Sequence, residues 1–207
     1  MLKEELDIVN VFRKDLFLAD SIRGLMKKSG NKSYGRIFDT SQELIKQEVL
    51  SMQKQGKSTV CSLNISNYKC QNYLSMLEFI DADTKLKEEE KRAINSLVEA
   101  IPNKYFTLLL SPQRSDGKAP KKEAYDLSFI VDDECDSVKL LNILNNHLKM
   151  NKLDLNLLVY KTKEFYELIL SRENNVAKEL IRNHIVVYGA LSYYRILKEA
   201  IEHGFKM

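Results

Sequence analysis

The stretch from Leu108 to Val131 constrains the fold of this chain more than any other. It starts inside an apolar run, continues through a long polar segment and ends in a second apolar run from Leu127 to Val131. Short apolar runs bounded by turn residues are typical of buried β-strands. We therefore predict two buried strands joined by a long polar loop.

The same stretch resembles a signature of minimal nucleotidyltransferases: a strand, a Gly-Ser turn, a loop with an Asp-x-Asp motif, and a second strand. When the second strands are aligned, Asp126 and Leu127 match the second Asp and the apolar residue after it. The first Asp of the motif then falls on Ala124, and the Gly-Ser pair falls on Pro112 and Gln113. The resemblance implies a nucleotidyltransferase-like domain with a degenerate active site.

The replaced residues are those that the reaction requires. Two divalent metals held by carboxylates stabilise the attacking and leaving oxygens of phosphoryl transfer. Ala124 removes one such carboxylate, and Pro112 removes an N–H where the family has a flexible donor. We accordingly predict no catalytic residues and no cofactor. The alternative is an active enzyme in which Asp116 and Glu123 join Asp126 in a rearranged Mg²⁺ site.

A third strand is predicted from the alternating pattern of residues 152–160, after a helix over residues 136–150. The third carboxylate of the family lies on this strand. Asp154 or Asn156 is the candidate for that position, and the two-residue period of a strand places both on one face. Asp126 and Asp154 are thus the predicted vestigial metal and nucleotide site. The other interpretation of Asp154 is an acid at a strand start that bonds to its local backbone.

The carboxy-terminal segment is predicted to contain helices, with Thr162 as the cap of a helix KEFYELIL and with Tyr193 and Tyr194 on the last helix in packing or a subunit contact. Neither His184 nor His203 has a second ligand at metal-binding spacing, so neither is predicted to bind a metal. This segment also resembles archaeal proteins that carry a Lys-Glu-x-x-x-x-His-x-x-x-Tyr-Gly pattern. The matching residues are Lys178, Glu179, His184, Tyr188 and Gly189.

The amino-terminal third is predicted to contain three helices. Apolar residues recur at helical spacing from Leu6 to Phe17, and a short helix follows with Asp20 as its candidate cap. Residues 29–32 have the composition of a turn, and a third helix is expected to begin at Ser33. Two helices joined by a tight turn form a helix-turn-helix, in which the later helix enters the DNA major groove.

Two predicted strands follow the third helix. Residues 49–52 and 58–63 have β-type patterns, and the polar residues 53–57 between them read as a turn. This segment resembles the wing of archaeal winged-helix regulators over residues 6–66. The matching residues are Gly56-Lys57-Ser58 at the turn and Ser62-Leu63-Asn64 at the exit.

Positive charge is concentrated in this part of the chain. Between Arg23 and Lys57 there are eight basic and three acidic residues, whereas the net charge of the whole chain is only +3. Basic side chains at helix starts and on a wing lie where phosphate contacts form, and polar side chains there reach base edges. The alternative is a solvated basic face used for protein contacts. The predicted DNA-binding residues are Lys32, Ser33, Tyr34, Arg36, Lys54 and Lys57.

Length and composition indicate two domains. The chain has 207 residues, and the charged run DADTKLKEEEKRA separates residues 1–82 from residues 83–207, with Asp83 or Thr84 starting the next helix. Three cysteines without paired close spacing indicate neither a disulfide framework nor a zinc site. Without an apolar run of about 18 residues or a signal-peptide pattern, we expect a cytoplasmic protein with no membrane contact.

The predicted fold class is α+β: an N-terminal winged helix-turn-helix followed by a small nucleotidyltransferase-like α/β domain with C-terminal helices, which resembles an archaeal fusion. The predicted function is double-stranded DNA binding, as a transcription regulator or another DNA-associated factor. A homodimer is expected because a single winged helix binds short sites weakly. The second domain would dimerise the protein or sense a ligand. The alternatives are an active nucleotidyltransferase and an antitoxin-like module that binds a protein partner.

Overall fold

The computed structural model describes residues 2–56, 58–112, 125–150 and 155–206. Within these residues the protein has a mixed α+β structure with two small sheets, so the predicted fold class is confirmed at that level. The chain forms two compact units, residues 1–77 with 206–207 and residues 78–205. Each unit is described below by itself.

The described part of the first unit contains three helices, a three-stranded sheet and the start of a fourth helix. The helices are α1 (Leu2–Arg13), α2 (Ile22–Lys28), α3 (Tyr34–Lys46) and α4 (Tyr68–Lys85). The strands are β1 (Ala19–Asp20), β2 (Leu50–Gln55) and β3 (Ser58–Leu63). They lie in the order β1-β3-β2, and both neighbouring pairs are antiparallel.

The core of the first unit is built from the apolar stripes of its helices and the inner side of its sheet. Each such side chain contributes about 1.5–3 kcal/mol when it is removed from water. The thiols of Cys61 and Cys70 are free and buried here, and burial raises the pKa of Cys70 to about 12. The fully buried apolar side chains include Ile8, Val9, Phe12, Leu25, Ile37, Leu44 and Leu74.

Asp20 is not the cap of α2, so that prediction is wrong. Ser21 is the cap, and its hydroxyl accepts a hydrogen bond from the backbone N–H of Gly24 over 3.1 Å. The backbone of Asp20 belongs to β1, where it pairs with Cys61, and this places it one residue too early to cap the helix. The Asp20 carboxylate instead accepts from the Ser21 N–H and pairs with Lys28 over 2.9 Å.

The hairpin of the first unit is longer than predicted. Residues 53–55, expected to form part of a polar turn, continue β2, and the ladder runs until Gln55 pairs with Ser58. Backbone hydrogen bonds do not require apolar side chains, so the exposed end of a hairpin can lack any apolar signal. The predicted strand over residues 58–63 is confirmed as β3.

The described part of the second unit contains a four-stranded mixed sheet with helices on it. Its strands are β4 (Phe106–Pro112), β5 (Tyr125–Val131), β6 (Asn156–Lys161) and β7 (Ile185–Tyr188). In the order β6-β5-β4-β7, β5 is parallel to β6, and β4 is antiparallel to both of its neighbours. The helices, besides the end of α4, are α5 (Glu88–Ala100), α6 (Ser137–Met150), α7 (Thr162–Leu170), α8 (Val176–Arg182) and α9 (Ala190–Glu202).

The predicted pair of buried strands is confirmed as β4 and β5. Leu108 lies opposite Phe129 in the ladder, and both side chains are fully buried. On their side of the sheet, apolar residues of α5 and α6 complete the core. On the other side, α7 contacts β5 and α9 contacts β4. The two strands are therefore covered on both faces, which explains why their apolar runs are nearly continuous.

Two helix starts predicted in the second unit are wrong. The predicted carboxy-terminal helices are present as α7, α8 and α9, and β7 adds a strand that was not predicted. Thr162 does not cap α7, because it is the first residue of that helix and its hydroxyl donates to the backbone oxygen of Val131 over 2.8 Å. Neither Asp83 nor Thr84 starts a helix, because α4 continues through both of them and α5 begins at Glu88.

Gly189 allows α9 to begin directly beside β4. It has a positive φ of 72°, and a side-chain β-carbon at this position would lie 2.3 Å from the backbone oxygen of Phe106. Any other residue would both strain the backbone and collide with the strand. The hydroxyl of Thr107 donates to the backbone oxygen of Gly189 over 3.1 Å and links the two elements.

Candidate nucleic-acid interface

The beginning of α3 presents five consecutive exposed residues, Lys32 to Arg36. Ser33 caps the helix as predicted, and its hydroxyl accepts from the backbone N–H of Arg36 over 3.5 Å. Ile37 and Leu44 on the same helix are fully buried and hold it against the core. The side chains of Lys32, Tyr34 and Arg36 therefore project from a firmly anchored helix start.

Three of the cations predicted to bind DNA lie outside the salt bridges of the described chain. Among the residues that the structure describes, Lys32, Arg36 and Lys54 form no salt bridge, whereas Lys28 pairs with Asp20 over 2.9 Å and Lys46 with Glu43 over 3.9 Å. Arg36 interacts electrostatically with Glu4 but remains exposed, and an exposed cation outside a salt bridge is available to a phosphate.

Lys54 lies near the end of the β2–β3 hairpin. It pairs in the ladder with Thr59, and residues 52–56 are all exposed. Lys57, the other predicted contact on the hairpin, lies outside the described residues. The structure thus places the five described residues of the predicted set on two elements of one unit, the start of α3 and the hairpin.

Two exposed aromatic rings lie on α3 beside this basic segment. The ring centroids of Tyr34 and Phe38 are 6.1 Å apart, and the guanidinium carbon of Arg23 lies 6.0 Å from the centroid of the Tyr34 ring. Neither Phe38 nor Arg23 is among the residues predicted from the sequence to bind DNA. The available signal was the spacing of four residues between Tyr34 and Phe38, which places two aromatic side chains together on one side of a helix.

The degenerate site predicted in the second unit lies on the sheet face that carries Asp126. Asp126 is opposite Ser111 in one ladder and opposite Asn156 in the other, and its Oδ1 accepts from Nδ2 of Asn156 over 2.9 Å. A cleft of about 510 Å³ opens here between the ends of these strands and α8. Its lining includes Ser111, Asp126, Tyr160, Glu179, Arg182 and Asn183.

The described residues of β5 and β6 do not supply the carboxylate pair of a two-metal centre. The neighbour of Asp126 on β6 is an amide that donates to it, where such a centre needs a further carboxylate. Nowhere in the described ranges does a group of three or more His, Cys, Asp or Glu residues lie close enough to share a metal ion. The other residues considered for this site, Gln113, Asp116, Glu123, Ala124 and Asp154, lie outside the described residues.

His184 and His203 each contact a neighbouring group of the second unit. The ring of His184 contacts Tyr193 edge-on with centroids 4.9 Å apart. Nδ1 of His203 lies 2.8 Å from the backbone oxygen of Glu199 at the end of α9. Tyr193 and Tyr194 are both buried within the second unit. Tyr194 donates from its hydroxyl to the carboxylate of Glu78, a buried acid of the same unit, over 2.6 Å.

Comparisons of this chain with models of protein families, with curated proteins and with solved structures find no match. No helix in the described ranges is both long and apolar enough to cross a membrane.

Proposed function

We propose that this protein binds double-stranded DNA through its first unit and that this unit is a winged helix. The order of its elements supports this fold: three helices interrupted by a short strand, then an antiparallel hairpin whose second strand is central in the sheet. In such a fold α3 would be the recognition helix and the β2–β3 hairpin would be the wing.

The observation that carries the proposal is the exposed, capped start of α3. Lys32 and Arg36 flank it as exposed cations outside the salt bridges of the described chain, and Lys54 is likewise exposed on the hairpin. Phosphate contacts from such cations fix a protein on a duplex, while polar side chains between them reach the bases. Ser33 and Tyr34 occupy that intermediate position.

For the second unit we propose a nucleotidyltransferase-like domain without catalytic activity, used for dimerisation or for sensing a ligand. The mixed sheet with antiparallel β4 and β5 and parallel β6 is compatible with such a domain. The pairing of Asp126 with an amide, together with Ala124 in the sequence, argues against the reaction. We propose that a protein with these two units acts in the cytoplasm as a regulator of transcription.

A homodimer is part of the proposal. Phe79 and Ile80 at the second-unit end of α4 are large apolar side chains that remain exposed. Apolar residues grouped on a surface are typical of protein interfaces. Sedimentation of the full chain at several concentrations would detect the dimer, and Phe79→Glu should shift the equilibrium to the monomer.

Duplex binding by charge-reversed variants tests the proposed function. Fluorescence anisotropy with the full chain at fixed salt should show that Arg36→Glu combined with Lys54→Glu weakens binding by at least about tenfold. The matched control is Arg195→Glu, which reverses an exposed cation of the second unit and should change affinity little. Equal affinity of the wild type and the double variant would refute the proposed interface.

A further inference from the structure

The exposed aromatic pair on α3 is not explained by charge alone. The side chains of Tyr34 and Phe38 are 46% and 40% exposed, although Ile37 between them is fully buried. Two large rings beside each other in water are unfavourable on a face that serves only to be solvated. Their position therefore points to a partner that covers them.

The surroundings of the pair restrict what that partner is. The guanidinium of Arg23 lies over the Tyr34 ring, Lys32 and Arg36 flank it, and the position where Gly35 would carry a side chain has no atom within 4 Å. The rings thus sit among positive charges on an open helix surface. A partner that suits both features carries negative charge and also offers apolar groups.

We infer that Tyr34 and Phe38 contact the C5-methyl groups of thymines in the major groove. This inference rests on the proposed DNA binding and names the bases that the recognition helix prefers. Among the four bases only thymine presents a methyl group in the major groove, and apolar side chains recognise it by contact. The phosphates of the same duplex supply the negative charge.

The spacing of the rings specifies the arrangement of the thymines. The two centroids are 6.1 Å apart, and successive base pairs rise by about 3.4 Å and also rotate, so the two rings reach only a short segment of one groove. The preferred site therefore contains thymines in neighbouring base pairs. Of the two residues, Phe38 gives the more direct test of methyl recognition, because its side chain has no polar atom and can discriminate bases only by apolar contact.

The experiment replaces thymine by deoxyuridine, which removes the methyl group and keeps base pairing. Duplexes are first selected from a random pool with the full-length protein, and each thymine of the selected site is then replaced in turn. Wild-type affinity should fall by about threefold to tenfold when a contacted methyl group is removed. The variant Phe38→Ser should bind the selected duplex more weakly and should no longer distinguish the two bases at the position that Phe38 contacts.

The control is Phe17→Ser, which removes a partly exposed aromatic ring of the same unit outside α3 and should keep the full sensitivity to deoxyuridine. If Phe38→Ser fails to fold, the deoxyuridine series with the wild type still decides the question. Selected duplexes that bind equally well with thymine and deoxyuridine at every position would overturn the inference and leave DNA binding standing. A selection that enriches no duplex at all would overturn the proposed function and the inference together.

Discussion

Asn156 on β6 donates a hydrogen bond from Nδ2 to Oδ1 of Asp126 on the adjacent parallel strand β5, over 2.9 Å. On the described residues of these two strands, this contact therefore joins one carboxylate and one amide, not two carboxylates. Two-metal phosphoryl transfer needs several carboxylates held on rigid elements. We therefore predict that the protein transfers no label from any nucleoside triphosphate in the presence of Mg²⁺.

The wild type and Asp126→Ala are compared in that assay, with DNA and the protein itself as acceptors. An equal background of labelled product with the two proteins would agree with the predicted absence of nucleotidyl transfer. A labelled product that forms with the wild type and disappears with Asp126→Ala would contradict it and would favour the rearranged site.

We predict that the protein loses stability at high pH because of the hydroxyl of Tyr73. It donates to the buried carboxylate of Glu5 over 2.9 Å, and burial, followed by this hydrogen bond, raises the pKa of Tyr73 from 10.0 to about 12. Between these values the unfolded chain has lost the proton while the folded chain retains it. The free energy of unfolding should therefore decrease as pH rises from about 10 to about 12.

Chemical unfolding of the wild type and Tyr73→Phe over this range measures the effect. At neutral pH the variant should be less stable by about 1–3 kcal/mol, because Glu5 loses a buried hydrogen bond. The difference between the two proteins should shrink toward pH 12. A constant difference across the range would show that the Tyr73 proton is not linked to folding.

Substitution of two glycines of the second unit measures the cost of disturbing the contact between α9 and β4, because one glycine lies at that contact and the other does not. Gly189 and Gly204 both have positive φ, but only Gly189 has neighbouring atoms where a side chain would be. Gly204→Ala should cost about 1–2 kcal/mol from backbone strain. Gly189→Ala should cost about 1–3 kcal/mol more, because it also collides with β4. Equal losses in thermal unfolding would contradict the close packing at Phe106.

The sequence allowed prediction of the elements with strong local signals. The apolar runs ending at Leu110 and Val131 predicted β4 and β5, and the hydroxyl of Ser33 predicted the start of α3. The alternation on the third strand predicted Asp154 and Asn156 on one face, with Asp154 as the partner of Asp126; Asn156 contacts Asp126, and Asp154 lies outside the described residues.

Other features depend on tertiary contacts and left little trace in the sequence. The strand from Ile185 to Tyr188 is only four residues long, and it is a strand because β4 pairs with it. Asp20 has the chemistry of a cap, yet pairing with β3 fixes its backbone in a strand and leaves the cap to Ser21. The exposure of Phe38 is likewise decided by which neighbours the fold provides.

The salt dependence of duplex binding tests the central claim most directly. Each phosphate contact contributes about 0.9 to the slope of log affinity against log salt concentration. Replacing Arg36 and Lys54 together by Ala should therefore reduce the magnitude of that slope by about two, while Arg195→Ala leaves it unchanged. A double variant with the same slope as the wild type, or a wild type that binds no duplex at low salt, would contradict the account.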